Sequence, residues 1–320
     1  MTNPNSVIGQ LLTTTLDNYK NTITDNIENF HPLLAKMKAN GNIIKESGGA
    51  SFQEKISYAA NGTVQFQGAF DNFDTTPQDV ITTAEFGQKT ISGTITMSKE
   101  EMLQNAGKER LVNLMESKVK NLESSLKNTL GTSLYSDGTG TGGKELGGLQ
   151  LLIADDPTSG TVGGIDRSSY SFWRNQLFDF STESITPSAT TIQAAMNSLY
   201  RRCQAQAGEQ VDVIAADDNY FGFFENSLQT ISRISSNTKL GELGFDTLKY
   251  KAADVFYDPE CPADHMYFIN SKHLYLKHLG DFLEREDVTR PVSQNVYVLP
   301  ITGLMNLTID NSRVHGVITA

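Results

Sequence analysis

An apolar seam from Leu111 to Leu134 constrains this chain more than any other feature. Leu111, Met115, Val119, Leu122, Leu126, Leu130 and Leu134 follow at steps of four, four, three, four, four and four. That spacing stacks side chains on one face of an α-helix. Lys118, Lys120, Glu123 and Lys127 flank the seam, so a single stripe is driven out of water. A coiled coil needs a sustained alternation of threes and fours. The seam lacks it and runs out before Gly138, so the expectation is a long helix laid on one sheet. Its start is marked as well: Ser98, with Glu101 three residues on, fits a capping box.

Before that helix the period changes. Phe52, Glu54 and Ile56 alternate with Gln53 and Lys55, and Ile91, Gly93 and Ile95 alternate with Thr90, Ser92, Thr94 and Thr96. A two-residue repeat belongs to strands. Between the runs VQFQGAFDNFDTTPQDV, Val64 to Val80, mixes aromatics with turn formers, so the runs are expected to form one long hairpin around that tip. Such Thr- and Gln-rich strands are marginal alone in water, and the hairpin should rest on a neighbour. Further upstream Ile8, Leu11, Leu12, Leu16, Tyr19, Ile23, Ile27 and Phe30 repeat at helical steps. Pro32 should interrupt that helix and Gly41 should stop it. Its narrow stripe suits an arm lying on another surface.

After the seam comes a glycine loop, Gly138 to Gly148. It leads into GGLQLLIADDPTSGTVGGIDRSSYSFWRN, Gly147 to Asn175, which holds the only tryptophan, Trp173. A new unit begins after Pro187. Ile192, Ala195, Met196, Leu199, Tyr200 and Cys203 share a helix face, with Gly208 placed as its stop. VDVIAA, Val211 to Ala216, reads as a buried strand, Asp217–Asp218 as a cap, and Tyr220 to Leu228 as an aromatic helix. Asp254 to Tyr257 and Met266 to Ile269 are expected strands. Asn295 to Leu299, Leu304 to Ile309 and Val314 to Ile318 make a β-rich end. Elements in this order imply an α+β fold.

A formal net charge of −11 and the lack of a basic run disfavour sequence-independent nucleic-acid binding, which neutralises phosphates with Lys and Arg. Cys203 and Cys261 have no metal or disulfide spacing and read as reduced thiols. No signal peptide or membrane-length apolar run is visible, so a cytoplasmic site of synthesis is expected. GTGTGGKE, Gly138 to Glu145, imitates a phosphate loop, but Glu145 stands where the magnesium-holding Ser or Thr belongs. His273 and His278 are five apart, unlike a helical metal pair, and His31, His265 and His315 are scattered. Asp155–Asp156 and Asp217–Asp218 read as caps of turns and helix starts. No catalytic residue, cofactor or metal ligand is expected.

The order and wording of Gly147–Asn175, with GGIDRSSYSFWRN as its most specific part, resemble the segment after the long helix in tailed-bacteriophage major capsid proteins. The remaining elements match that family in order and length. The resemblance implies an N-terminal arm (1–49) and an extended β-hairpin loop resting on the adjacent subunit (50–97). It implies a peripheral domain with the spine helix and Gly-rich loop (98–186 and 286–320) and an axial domain (187–285). It further implies a non-enzymatic coat protein, made in a bacterial host's cytoplasm, that forms pentamers and hexamers and closes into an icosahedral virion shell around double-stranded DNA. A separate scaffolding protein, or none, is expected, because the hairpin begins too early for the fused scaffold of some members. A portal and decoration proteins are further expected partners. Two other readings stay open: an encapsulin-like nanocompartment shell, and an α+β enzyme with dispersed active-site residues.

Within that frame Trp173, Tyr170 and Phe172 are expected to be packing anchors, because aromatics bury large areas. Arg167, Arg174, Phe70 and Phe73 are expected contacts between subunits. Nothing in the sequence marks Lys55 or Lys89 as a cross-linking residue.

Overall fold

The computed structural model describes residues 31–104, 114–228, 247–291 and 294–320. The helical stripe between Ile8 and Phe30, and the seam's first residue Leu111, lie outside the described residues. In chain order the elements begin α1 (Pro32–Asn40), β1 (Ile43–Glu46), β2 (Ser51–Ser57), β3 (Ile81–Gly87), β4 (Lys89–Ser98), α2 (Lys99–Gln104) and α3 (Leu114–Ser133). They continue α4 (Leu149–Leu152), β5 (Thr161–Val162), β6 (Ile165–Asp166), β7 (Gln176–Asp179), α5 (Ile192–Ala207), β8 (Val213–Ala216) and α6 (Asp218–Leu228). The last are β9 (Thr247–Tyr250), β10 (Ala253–Tyr257), β11 (His265–Ile269), β12 (Leu274–Arg285), β13 (Val296–Ile309) and β14 (Gly316–Thr319). No helix among the described residues is long and apolar enough to cross a membrane.

Two sheets organise the molecule: a six-stranded sheet in the order β7-β14-β11-β8-β10-β9 and a four-stranded one in the order β1-β12-β13-β4. Successive strand residues point to opposite faces, and the six-stranded sheet uses both. Ile214, Ala216, Val255, Met266, Phe268 and Ile318 meet Ala195, Met196, Leu199 and Cys203 of α5 and Phe224 of α6 in one core. Val213, Ala215, Phe256, Tyr267, Ile269 and Val317 face a second core with Leu130, Leu134, Tyr135 and Trp173. Helix α5 ends at Gly208, whose φ of +71° and N–H to the Gln204 carbonyl (2.9 Å) form the left-handed cap that the sequence suggested.

The seam lies on a sheet. Helix α3 packs on β4 so closely that a Cβ at Gly93 would come within 2.6 Å of Leu122. Ser98 and Glu101 make the reciprocal bonds of a capping box, the Ser98 N–H donating to Glu101 Oε2 and the Glu101 N–H to Ser98 Oγ, both at 3.0 Å. Upstream, Pro32 begins a helix at its first position, where a missing N–H costs nothing. Gly41 stops it with φ +77°. Two aspartates of the six-stranded layer hold this helix in place: Asp258 accepts the Leu33 N–H (3.3 Å) and Asp254 pairs with buried Lys36 (2.7 Å).

The structure departs from the sequence reading in its strand partners. The hairpin closes between β2 and β3, from Ser51↔Gly87 to Ser57↔Ile81. The run containing Ile91, Gly93 and Ile95 pairs instead with β13. A single residue, Gln88, separates β3 from β4, so one extended stretch changes partners there. Alternation reports which face is buried but not which strand lies alongside. The runs Asn295–Leu299 and Leu304–Ile309 are one strand, β13, passing through Pro300 and Gly303. Strands also cross the expected domain divisions: β7 and β14 lie in the six-stranded sheet, and β12 joins β13 in the four-stranded one.

The turn after α3 gives a first prediction. A Cβ at Gly148 would meet backbone atoms, Ser133 O at 2.5 Å, Ser136 N at 2.6 Å and Leu134 O at 2.7 Å. Backbone cannot swing aside as a side chain does, and the adjacent Leu149 N–H donates to Leu134 O at 2.7 Å. Gly148→Ala is expected to lower stability by about 1–3 kcal/mol, the range for overpacking. A urea midpoint equal to wild type would show that the turn relaxes freely.

Candidate assembly surface

Beyond Ser57 and Ile81 one cross-strand backbone bond remains, from the Tyr58 N–H to the Val80 carbonyl (3.0 Å), and local bonds shape the tip that follows. Asn61 Oδ1 accepts the Thr63 N–H (2.9 Å), Asp71 Oδ2 the Gly68 N–H (2.6 Å) and Asp74 Oδ1 the Thr76 N–H (2.9 Å). The hydroxyl and N–H of Thr76 hold the Asp74 carboxyl below its usual pKa. No core lies beneath this tip. Phe66, Phe70 and Phe73 are 109%, 100% and 83% exposed, and Val64 and Ile81 also stand in solvent. Isolated exposed apolar groups are ordinary; a cluster on one projecting loop marks a contact surface. Phe70 and Phe73, expected from the sequence as contacts between subunits, stand on this tip, and Phe66 stands exposed beside them.

The Gly147–Asn175 segment folds into a knot at the hairpin's base. Trp173 is buried and donates Nε1–H to the Val162 carbonyl at 2.9 Å. Phe172 packs against it (ring centroids 6.3 Å) and against Tyr58 of the hairpin (5.4 Å). Tyr170 stands half exposed beside Phe172. The expectation for Arg167 needs correction. It is 1% exposed, and its guanidinium donates to the carbonyls of Leu151 (3.1 Å) and Leu152 at the end of α4. Those unpaired carbonyls need donors, which leaves Arg167 no surface for another subunit. Burial pulls its pKa down to about 10. Arg174, partly exposed, donates to the Arg167 and Ser168 carbonyls, each at 2.7 Å.

The titratable groups are structural in arrangement. Asp217 caps α6 by accepting the Tyr220 N–H (3.0 Å), and Asp156 accepts the Thr158 N–H (3.0 Å) in a turn. Asp155 pairs with His265 (3.0 Å), a contact across the fold that the sequence did not signal. Lys277 is buried between Glu54 (2.8 Å) and Glu46 (3.1 Å). Burial pushes the Cys203 thiol up to about 12 and raises Cys261 well above its usual value, so neither is a ready nucleophile. No group of three or more His, Cys, Asp or Glu among the described residues could hold a metal ion.

Two histidines sit at the knot's far side. His273 lies between Asp310 (2.6 Å) and Glu209 (3.3 Å), and the bond to Asp310 raises its pKa. His315 is fully buried, and desolvation pulls it down to about 4. A histidine held neutral gives its full stability above the unfolded value near 6.5 and loses it as pH falls toward 4. The loss is about 3 kcal/mol at about 1.4 kcal/mol per unit. His273 works in the opposite sense, stabilising at low pH and less so as pH rises through its raised pKa. His315→Gln is therefore expected to flatten the fall in urea midpoint between pH 6.5 and 4.5. An unchanged pH slope would place the acid sensitivity elsewhere.

No family model matches the sequence, and no curated protein matches it. Solved structures do. The chain is similar to the capsid subunit of cyanophage A-1(L), at 18% identity and TM-score 0.73, covering 96% of this chain and 98% of that one. The capsid of an empty GTA particle gives 9% identity and TM-score 0.62, with 94% of each chain covered. The SrpI encapsulin of Synechococcus elongatus PCC 7942 gives 8% identity and TM-score 0.55, covering 93% of this chain and 91% of that one. The chain thus has the α+β fold shared by these phage-type capsid subunits and an encapsulin.

Proposed function

We propose that this chain is a major capsid protein, which assembles as pentamers and hexamers into an icosahedral phage head enclosing double-stranded DNA. The observation that carries this is the exposed aromatic tip on a chain that follows a shell-protein fold over 93–96% of its length. Such a tip has no use in a monomer and a direct one in a lattice, where each copy covers its neighbour's apolar surface. In this reading β2 and β3 are the extended loop, and β1, β4, α3, β12 and β13 belong to the peripheral unit. Helices α5 and α6, on one face of the six-stranded sheet, belong to the axial unit. Tyr170, Phe172 and Trp173 anchor the joint between them, and Arg174, Phe70 and Phe73 face other copies. A scaffolding protein assists assembly in this reading, and a portal and decoration proteins complete the virion.

Electron micrographs of the purified chain, expressed alone and with its genomic neighbours, test the proposal. Closed shells or capsomers are expected; a monomer under all these conditions would refute it. The encapsulin likeness favours a second reading, a nanocompartment. Shells isolated from the native host with a protein cargo and no nuclease-protected DNA would select it.

A further inference from the structure

Two clefts of about 340 Å³ each open on either side of the Tyr58–Phe172 contact. The size is at the lower end for ligand clefts, about 300–1,000 Å³; it suits side chains rather than a folded element. Both share the same aromatic wall, and they differ in charge. One is lined by Lys55, His273 and Arg313, with Asp310 as its acid, already held by His273. The other has Asp79 as its charged group and includes Tyr170 and Ile81. Lys55 is exposed and makes no ion pair among the described residues, and the Arg313 guanidinium bonds only the neutral Gln206 side chain there.

The hairpin tip is the matching shape. Residues 64–80 carry Asp71, Asp74 and Asp79 with no Lys, Arg or His, interleaved with Phe66, Phe70 and Phe73. These aromatics stand clear of both clefts in their own chain. We propose that the cleft walled by Lys55, Tyr58, Phe172, His273 and Arg313 receives the acidic aromatic tip, Val64–Asp74, of a second copy of this chain. The proposal rests on the shell reading and names the receptacle within it. Aromatic rings cover the Tyr58–Phe172 wall while Asp71 and Asp74 approach Lys55 and Arg313. Opposite charges fix which of two similar clefts is entered, and like charge excludes the cleft beside Asp79.

Cysteine pairing tests this directly, because the native thiols are buried and unreactive. Ala69→Cys protomers are assembled with Gln206→Cys protomers and mildly oxidised, and separately with Tyr170→Cys protomers, which probe the other cleft. A disulfide-linked dimer is expected with Gln206→Cys and not with Tyr170→Cys. It should be lost when Lys55→Glu and Arg313→Glu are added, and regained when Asp71→Lys and Asp74→Lys are placed in the tip. Shells that form normally without the link, or with the link at Tyr170→Cys, overturn the receptacle while leaving the shell reading intact. An equal yield within a dilute monomeric Ala69→Cys/Gln206→Cys double variant also overturns it, since the tip would then fill its own cleft. If no protomer assembles at all, the shell reading fails and this inference fails with it.

Discussion

Replacing Phe66, Phe70 and Phe73 together by serine is expected to leave the folded subunit's stability unchanged and to abolish its assembly. The two halves of that result come from one observation. These rings are 83% exposed or more, so their removal takes away no packing inside the chain. Surface substitutions of this kind usually shift stability by about 0.5 kcal/mol or less. Across an interface the same rings would be central anchors, and truncating such an anchor typically costs about 2 kcal/mol or more. About 1.4 kcal/mol is already tenfold in a contact's equilibrium constant. Every copy in a lattice repeats the contact, so the loss recurs at each joint. Urea denaturation of the variant and light scattering of assembly mixtures separate the halves. Normal shells from the triple variant would deny the tip its role, and a large drop in urea midpoint would mean that the rings support their own chain.

How much of this was legible depends on the range of the interaction that fixes each element. The spine helix, the Ser98–Glu101 box, the Gly208 stop and the Asp217 cap were readable because their causes lie within a turn or two of chain. The partner of the Ile91–Ile95 run was not. Both β2 and β13 offer apolar residues at a two-residue spacing, and β4 lies beside β13, where α3 packs closely over Gly93. The same limit governs charge. Arg167 reads as a surface arginine until α4 brings two carbonyl groups to it. His273 and His315 come together because β14 pairs with β11 in the six-stranded sheet. The exposed tip is the converse case, since VQFQGAFDNFDTTPQDV reads as a turn-rich aromatic segment whether or not a core lies beneath it. The clefts flanking Tyr58 and Phe172 were invisible for another reason: the walls of the basic one come from five separate parts of the chain.

Trp173→Ala is expected to be the most damaging single substitution in the subunit. The ring is 1% exposed, packs in the core beneath the six-stranded sheet and donates to the Val162 carbonyl. Removing a buried Phe or Trp side chain costs about 3–5 kcal/mol, a large part of the roughly 5–15 kcal/mol that holds a typical domain folded. Trp173→Phe keeps most of the volume but leaves the Val162 carbonyl without its donor, a smaller loss of about 1–3 kcal/mol. Urea titrations followed by circular dichroism should rank wild type above Trp173→Phe above Trp173→Ala. Wild-type fluorescence, from the only tryptophan, should shift to the red in the same transition. A Trp173→Ala variant within about 1 kcal/mol of wild type, below the usual cost of such a cavity, would make the knot a passive loop. If the ranking holds, the consequence reaches the surface. Phe172 is fixed between Trp173 and Tyr58, so loss of the buried ring displaces the wall shared by both clefts. Assembly should then fail even below the urea concentration at which the subunit unfolds.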